Sequence, residues 1–564
     1  MKFRKLSNII IVVAVVFLFA GFSDIYFEIN KNIELFSKVY KEISFNYVDE
    51  IEPEKFMRAG IEGMLSSLDP YTIFVDEKKK EDIDLITNGK YGGIGISIGV
   101  RGDNVTVVEV MDGYSAQRQG IRVGDIIIEA AGVEIAPNNV DDISSLVKGE
   151  PGSTVLLKIV RNELKDTIHF DIVREEVIVK NLTYAGFYPE KSNNVYLKLN
   201  NFSRSASDEI KRAIKDLKTE KEVNSLILDL RGNPGELLDI AVDICDKFLD
   251  KDYLIVSTKG RSPSSIKEYY STQEPILSKA KIIILINGGS ASASEIVAGA
   301  IQDHDRGVIL GTQSFGKGLV QTITPLSYNT SLKITTAKYY TPSGRCIQRI
   351  DYSDHNDVIA DEDSIVSGEF LTDNKRIVFS KGGISPDTTV DFTIVGNITK
   401  ELLARGLFFK FANRYMFQNP DKDFNNMDDV NLLNEFKDFI ADQSFKYQSD
   451  AENHLSILLK DIPDKYPDLT VELSQLKTKI TNMKKYDFDL YGDEILGEIK
   501  EELALRYLGM EGRIKQRLKT DLQVQTALDV INDPAVYEKL LNVHWVNYFW
   551  SWFFFRLDFL PESL

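Results

Sequence analysis

Two cysteines, Cys245 and Cys346, and five histidines are all the thiol and imidazole groups in this chain of 564 residues. Two thiols build no disulfide framework, and His169, His304, His355, His454 and His544 lie too far apart to form a metal set. No metal and no cofactor is therefore expected. Cys245 falls in an apolar helical pattern and reads as a core residue. Basic charge is also short: 67 Lys and Arg stand against 85 Asp and Glu, a formal net charge of −18. That balance argues against a nucleic-acid partner, which would want basic patches. Long apolar runs are missing too. The nearest, Ile9–Phe22, is short of the roughly 20 residues that span a bilayer. Lys2, Arg4 and Lys5 precede it and Gly21-Phe22-Ser23 follows, so residues 1–28 read as a signal peptide or a membrane anchor. Both readings send the rest of the chain out of the cytoplasm. No cysteine stands near residue 20 to carry a lipid.

What is present is an ordinary folded composition, with 43% hydrophobic and 27% charged residues. The length exceeds a single core and implies three or four domains. The segment that organises the rest is Asn287-Gly-Gly-Ser-Ala-Ser-Ala-Ser-Glu-Ile-Val-Ala-Gly-Ala-Ile301. It follows Lys281–Ile286, an apolar run that reads as a buried strand. A strand that turns through glycines into a small-residue helix can expose a reactive side chain beside free helix N–H groups. Ser290, Ser292 and Ser294 all sit at that turn. Each is a candidate nucleophile, and each is equally a helix cap.

A nucleophilic serine needs a base. Only His304 lies near the turn, and Asp303-His304-Asp305-Arg306 reads as a solvated loop, since a second ligand or partner at i+4 is missing. Gly311-Thr-Gln-Ser-Phe-Gly-Lys-Gly-Leu-Val-Gln321 supplies a different base: Lys317 between two glycines, with Gln321 four residues on. Those two share a face in a strand and nearly so in a helix. A lysine serves as base when desolvation draws its pKa toward neutrality.

The two segments together resemble the C-terminal processing peptidases, or tail-specific proteases. The likeness covers roughly residues 35 to 390, in several motifs in family order. It implies a Ser–Lys dyad in which Ser292, the middle serine of Gly-Ser-Ala-Ser-Ala, is the nucleophile and Lys317 of Phe-Gly-Lys-Gly is the base. Gln321 would orient the lysine, which stands 25 residues after the serine. The backbone N–H groups of Gly235 and Ala293 would form the oxyanion hole, each worth ~3 kcal/mol by the usual cost of losing such a donor. Glu236 stands where the family usually has another glycine, and reads as a first-turn acid favoured by the helix dipole. Arg231 reads as a brace for the turn.

Residues 87–175 change character to short strands and glycine turns: Tyr91–Val100, Val105–Val110, Gly124–Ile128 and Val155–Val160, with a helical Val140–Val147. They resemble a PDZ domain, with Gly93, Ile94, Gly95 and Ile96 at the loop that takes a peptide's terminal carboxylate by strand addition. Gln117-Arg118-Gln119 stands where the family carries smaller or apolar residues. In residues 176–395, strands Asn194–Asn200 and Asn224–Leu230 alternate with helices Ser205–Leu217 and Glu236–Phe248, which implies a largely parallel sheet. The resemblance makes this a crotonase-like α/β core. Tyr339–Arg345 and Gly382–Asp387 read as closing turns, and Asp351–Glu369 as an acidic loop.

Residues 29–86 form a helical arm, with Ile33, Phe36, Val39, Tyr40 and Ile43 at helical spacing. Residues 396–541 are again helical; Leu496, Ile499, Leu503 and Tyr507 make one apolar stripe, for packing or self-association as a homo-oligomer. Residues 542–564 are an aromatic tail. The expected fold class is thus multidomain α+β/α/β, with the PDZ-like domain inserted before the catalytic core. The expected function is a serine endopeptidase, exported to the periplasm and held there free or at the inner membrane, acting on protein or peptide substrates taken by their C-termini. The rivals are a catalytically silent PDZ scaffold and a crotonase-fold enzyme acting on acyl thioesters.

Overall fold

The computed structural model describes residues 26–76, 88–101, 104–135, 140–161, 167–350, 352, 368–380, 382–391, 395–443, 445–461 and 469–542. Most of the expected export segment, residues 77–86 of the expected helical arm, nearly all of the acidic loop and nearly all of the aromatic tail lie outside them. Among the described residues, no helix is long and apolar enough to cross a membrane. The chain divides into two compact units, one of residues 1–77, 321–335 and 352–357, the other of the remainder.

In the first unit a helix runs over 26–46 and a second over Pro53–Leu65, with Pro53 in its first turn, where a missing N–H costs nothing. Tyr40 stacks on Phe56 and its hydroxyl donates to Pro53 O. Asp69 stops the helical pattern: its carboxylate accepts from the N–H groups of Tyr71 and Thr72 at 2.9 and 3.0 Å, an Asx turn. The strand Ile73–Val75 then pairs antiparallel with 331–333.

The second unit is built on a six-stranded sheet in the order 182–187, 194–199, 225–229, 281–286, 308–311, 388–389. Its first pair is antiparallel and the rest are parallel. The centre explains the unbroken apolar runs: Ile282–Ile286 and Leu226–Leu228 are wholly buried, because helices cover both faces. Each such side chain contributes roughly 1.5–3 kcal/mol relative to exposure. Helices Ala206–Glu220, Leu238–Cys245 and Ala293–Asp303 cover one face. Cys245 is in that core, as its pattern implied, and burial pushes its thiol pKa well up.

The other face is covered by the end of the chain. Val524, Ala527, Leu528, Val530, Ile531, Tyr537 and Leu541 pack on Tyr196, Ile227, Ile283, Leu285, Val308 and Leu310. Tyr537 Oη also bonds the backbone N–H and C=O of Ile282, at 2.9 and 3.1 Å. The segment that sequence reading left to general packing is therefore the third layer of the α/β core. Ahead of it, Phe408, Phe411, Phe436, Phe439 and Phe488 form an aromatic core with the stripe residues Ile499 and Leu503.

The PDZ-like segment is a sheet in the order 96–101, 104–110, 126–130, 154–160, 167–173, packed on the helix Val140–Val147. The expected strand from Tyr91 to Val100 is in fact two. Lys90–Gly93 pairs with Glu175–Ile178, joining entry to exit, and Ile96–Arg101 starts the domain sheet. The break falls at Ile94–Gly95, where Gly95 has φ 80° and an added Cβ would stand 2.3 Å from Tyr114 Cβ.

Candidate active site

The expected strand Lys281–Ile286 is present over those residues, and the helix Ala293–Asp303 follows it. Ser292 is the cap between them, half-buried, with φ 51° and ψ −111°. For a residue with a Cβ this is a strained backbone of the kind found at functional turns. The neighbouring hydroxyls are both buried and engaged. Ser290 Oγ donates to Leu230 O at 2.8 Å and accepts from Asn287 N–H at 3.0 Å. Ser294 Oγ donates to Asn233 O at 2.9 Å.

Glu295 organises the site, and sequence reading passed over it. Its carboxylate is fully buried and accepts four hydrogen bonds. One oxygen takes Ser314 Oγ at 2.5 Å and Gly316 N–H at 2.7 Å. The other takes the backbone N–H groups of Ser292 at 2.8 Å and Lys317 at 2.9 Å. One oxygen atom therefore ties the serine turn to the lysine segment. Burial pushes the Glu295 pKa up to about 7, against the opposing pull of those four donors. A hint was present, since Ser292-Ala-Ser-Glu295 is a capping-box pattern. Its reach to residue 317 was not.

Lys317 is half-buried, and its flanking glycines are there for space. Gly316 has φ 88°, and an added Cβ would stand 2.8 Å from Arg349 Cβ and from the Gly382 carbonyl carbon. Gly318 presses on Gln348 in the same way. The motif Gly382–Asp387 thus has a place in the site's wall: Ile384 N–H donates to Ser314 Oγ at 2.6 Å. Gln321 lies in the first unit, on the strand Leu319–Pro325, where its Nε2 donates to Thr335 Oγ1 at 3.3 Å.

Gly235 lies in an irregular turn, since the following helix begins at Leu238 rather than at Glu236. With φ 65°, a Cβ on Gly235 would meet Ala291 O at 2.2 Å and Ala293 N at 2.5 Å. The two residues expected at the oxyanion hole are therefore adjacent. The Gly235 N–H is itself given to Asn233 Oδ1 at 2.9 Å. Asn233 is wholly buried, and its carbonyl accepts from Ala291 N–H at 3.0 Å. Asn287 Oδ1 accepts from Gly232 N–H at 2.9 Å and Gly289 N–H at 3.0 Å. The turn 231–235 and the serine turn are thus laced together.

His304 corrects its solvated-loop reading. One ring nitrogen is 2.7 Å from Leu254 O and the other 2.8 Å from Asp373, with the Tyr253 ring 4.6 Å away. Three tertiary partners, invisible in the flanking acids, make it a structural residue. Arg345, in the motif Tyr339–Arg345, is fully buried on Asp303 and Gln302, both at 2.6 Å.

In the PDZ-like domain, Gly93, Ile94, Gly95 and Ile96 are all buried, and they lead into the edge strand of the sheet. Ile94 O and Gly95 O accept from Ala116 N–H at 3.1 Å and Met111 N–H at 2.9 Å, which fixes the loop. An edge strand is the geometry that strand addition requires.

Four family profiles match the chain. The profile of peptidase family S41 matches residues 193–357. A PDZ-domain profile matches 106–161, the N-terminal domain of the activating protease CtpB matches 23–79, and the C-terminal helical domain of probable PDZ-proteases matches 398–531. A carboxy-terminal-processing protease of Bartonella bacilliformis is 38% identical over 323 residues, covering 57% of this chain and 73% of that protein. A probable CtpA-like serine protease of Staphylococcus aureus (strain COL) is 33% identical over 349 residues, covering 61% and 68%. Among solved structures, the photosystem II D1 C-terminal processing protease aligns at 25% identity and TM-score 0.35, over 63% of this chain and 92% of that one. With a PDZ domain, a serine turn and a lysine segment in that order along it, the chain belongs to peptidase family S41, the carboxy-terminal-processing serine proteases.

Proposed function

We propose that the protein is an endopeptidase with a Ser292–Lys317 dyad, which takes its substrates by their C-termini through the PDZ domain. The observation that carries this reading is the shared Glu295 oxygen. It holds the backbone of Ser292, in its strained conformation, and that of Lys317 no farther apart than two hydrogen bonds in sequence. In this mechanism Lys317 takes the proton of Ser292 Oγ as that oxygen attacks the scissile carbonyl carbon. The tetrahedral oxyanion collapses, the amine leaves with the proton from Lys317, and water hydrolyses the acyl-enzyme by the same route. Ala293 and Gly235 donate to the oxyanion, for which the Gly235 N–H exchanges Asn233 Oδ1 for substrate. The PDZ loop Gly93–Ile96 receives the terminal carboxylate, and the edge strand Ile96–Arg101 pairs with the residues before it. The basic residues and short apolar run at the N-terminus support a place for this activity outside the cytoplasm. The silent-scaffold reading is disfavoured because a strained serine joined to a lysine segment through one buried carboxylate has no use in a scaffold.

Ser292→Ala and Lys317→Ala should each abolish cleavage of an unfolded protein while leaving the circular dichroism spectrum and melting temperature unchanged. Turnover by either variant in a discontinuous gel assay removes the dyad. Ser290→Ala and Ser294→Ala should still cleave, at reduced stability, since each deletes a buried hydrogen bond worth ~1 kcal/mol.

A further inference from the structure

Arg231 is the point at which the C-terminal helices meet the active site. Its guanidinium is held by Asp229 from the preceding strand, with Nε at 3.0 Å from Oδ1 and a terminal nitrogen at 2.6 Å from Oδ2. Its outer edge reaches Asp521 Oδ1 at 2.9 Å, Asp521 Oδ2 at 2.8 Å and Gln523 Oε1 at 2.8 Å. Asp521 caps the helix Leu522–Asn532, accepting from the N–H groups of Gln523 and Val524. Gln523 is almost wholly buried and donates to Val390 O at 2.6 Å. The Arg231 carbonyl is fixed as well, by Lys198 Nζ at 2.6 Å. Directly after Arg231 come Gly232, Asn233 and Gly235, the turn that is bonded to Asn287, Ala291 and Ser294.

Asp229 ends the preceding strand, two residues before Arg231 in the chain, and is part of the same local turn. It can shape the turn, yet it cannot set the turn's position against an outside reference. Asp521 and Gln523 stand on a helix anchored across the opposite face of the sheet, and supply that reference.

We propose that Asp521 and Gln523 are positioning residues for catalysis: through Arg231 they hold the turn that carries the Gly235 N–H in register with Ser292. The C-terminal helical domain is then part of the catalytic apparatus as well as a cover for the sheet. Asp229, whose carboxyl is pushed up by burial but held well below its usual range by Lys198 and Arg231, stays ionised and keeps the relay charged across the working pH. The inference rests on the Ser–Lys reading for its rate arm only.

The informative variant is Asp521→Ser in the full chain, because serine keeps the helix cap and is too short to reach Arg231. Gln523→Leu removes the second contact, and Asp521→Asn keeps both cap and reach as the conservative rescue. The expected result is a fall in kcat of about tenfold for Asp521→Ser at unchanged KM and melting temperature, partly restored in Asp521→Asn. Amide hydrogen exchange across residues 231–235 should accelerate in parallel. A kcat within twofold of the parent, or a loss in which melting temperature and KM change together with kcat, overturns the proposal. Ser292→Ala is measured beside them. If it still cleaves, the dyad reading fails, while exchange at 231–235 continues to decide whether Asp521 holds the turn: acceleration supports the proposal, and unchanged exchange ends it.

Discussion

At the scale of single residues, Glu295 sets two opposed pH dependences. Its folded pKa, raised by burial from the ordinary 4.5 to about 7, means that the native state holds the proton more tightly than the unfolded chain. The stability this group contributes is therefore full below about pH 4.5 and is lost as pH rises through about 7, a change of roughly 3 kcal/mol over that window. The ionised carboxylate, however, is the form that accepts four donors and draws Ser292 and Lys317 together. Activity should rise with pH through about 7 while this part of the stability declines. Glu295→Gln keeps the shape but sets an NH2 against backbone donors, so we expect a loss of about a hundredfold in kcat, the usual scale for a misplaced reacting group. The limb near pH 7 should vanish with it; an ascending limb that persists in that variant would belong to another group. His304→Ala should leave the limb in place and lower only the melting temperature, since its bonds are to Leu254 and Asp373. Gly235→Ala should be costlier to the site than its size suggests. The methyl group would sit 2.2 Å from Ala291 O on a left-handed backbone that alone costs ~1–2 kcal/mol, which thermal melting and a cleavage assay would register together.

At the scale of elements, the edge strand Ile96–Arg101 makes a prediction about substrates. Its pairing partner on one side is Asn104–Val110, and its place at the end of the sheet order leaves the other side for an added strand. A peptide ending in a free carboxylate should be bound at least about tenfold more tightly than its amide, because a charge-assisted bond to loop N–H groups is lost. The comparison is made by competition of the two peptides for cleavage. Equal cleavage of the two would leave the domain without a carboxylate-reading role. The strands and helices of both domains were legible because their burial is one-sided or complete, and period and run length report that directly. The break at Ile94–Gly95 was not, because the left-handed Gly95 is packed against Tyr114, nineteen positions on in the chain. Glu501 shows the same limit. On its helix it falls off the apolar stripe, yet it is buried, and burial with Glu498 beside it pushes its pKa up to about 7.

At the scale of the whole molecule, the layer formed by Leu518–Leu541 decides whether the catalytic sheet is covered. Stopping the chain after Thr520 would expose Ile227, Ile283, Leu285, Val308 and Leu310, all fully buried in the intact protein. At roughly 1.5–3 kcal/mol for each large apolar side chain uncovered, the loss is comparable to the whole of the 5–15 kcal/mol by which domains are usually stable. The truncated protein should be insoluble or cleaved at once by a probing protease, whereas removal of residues 543–564 leaves that layer intact and should be tolerated.

The sequence by itself determined the family and the order of the parts. Gly289–Ala293, Phe315–Gly318 and the PDZ-like run are short motifs whose meaning lies in neighbouring residues, and the parallel strands announce themselves by unbroken apolar runs. Only the tertiary structure decided which groups join those parts. Glu295 reaches from residue 292 to 317, Asp521 reaches Arg231, and the last helices close the sheet's second face. Periodicity records which side of an element is buried. It carries no record of what that side is buried against, since a hydrogen bond across 290 residues leaves no local pattern at either end.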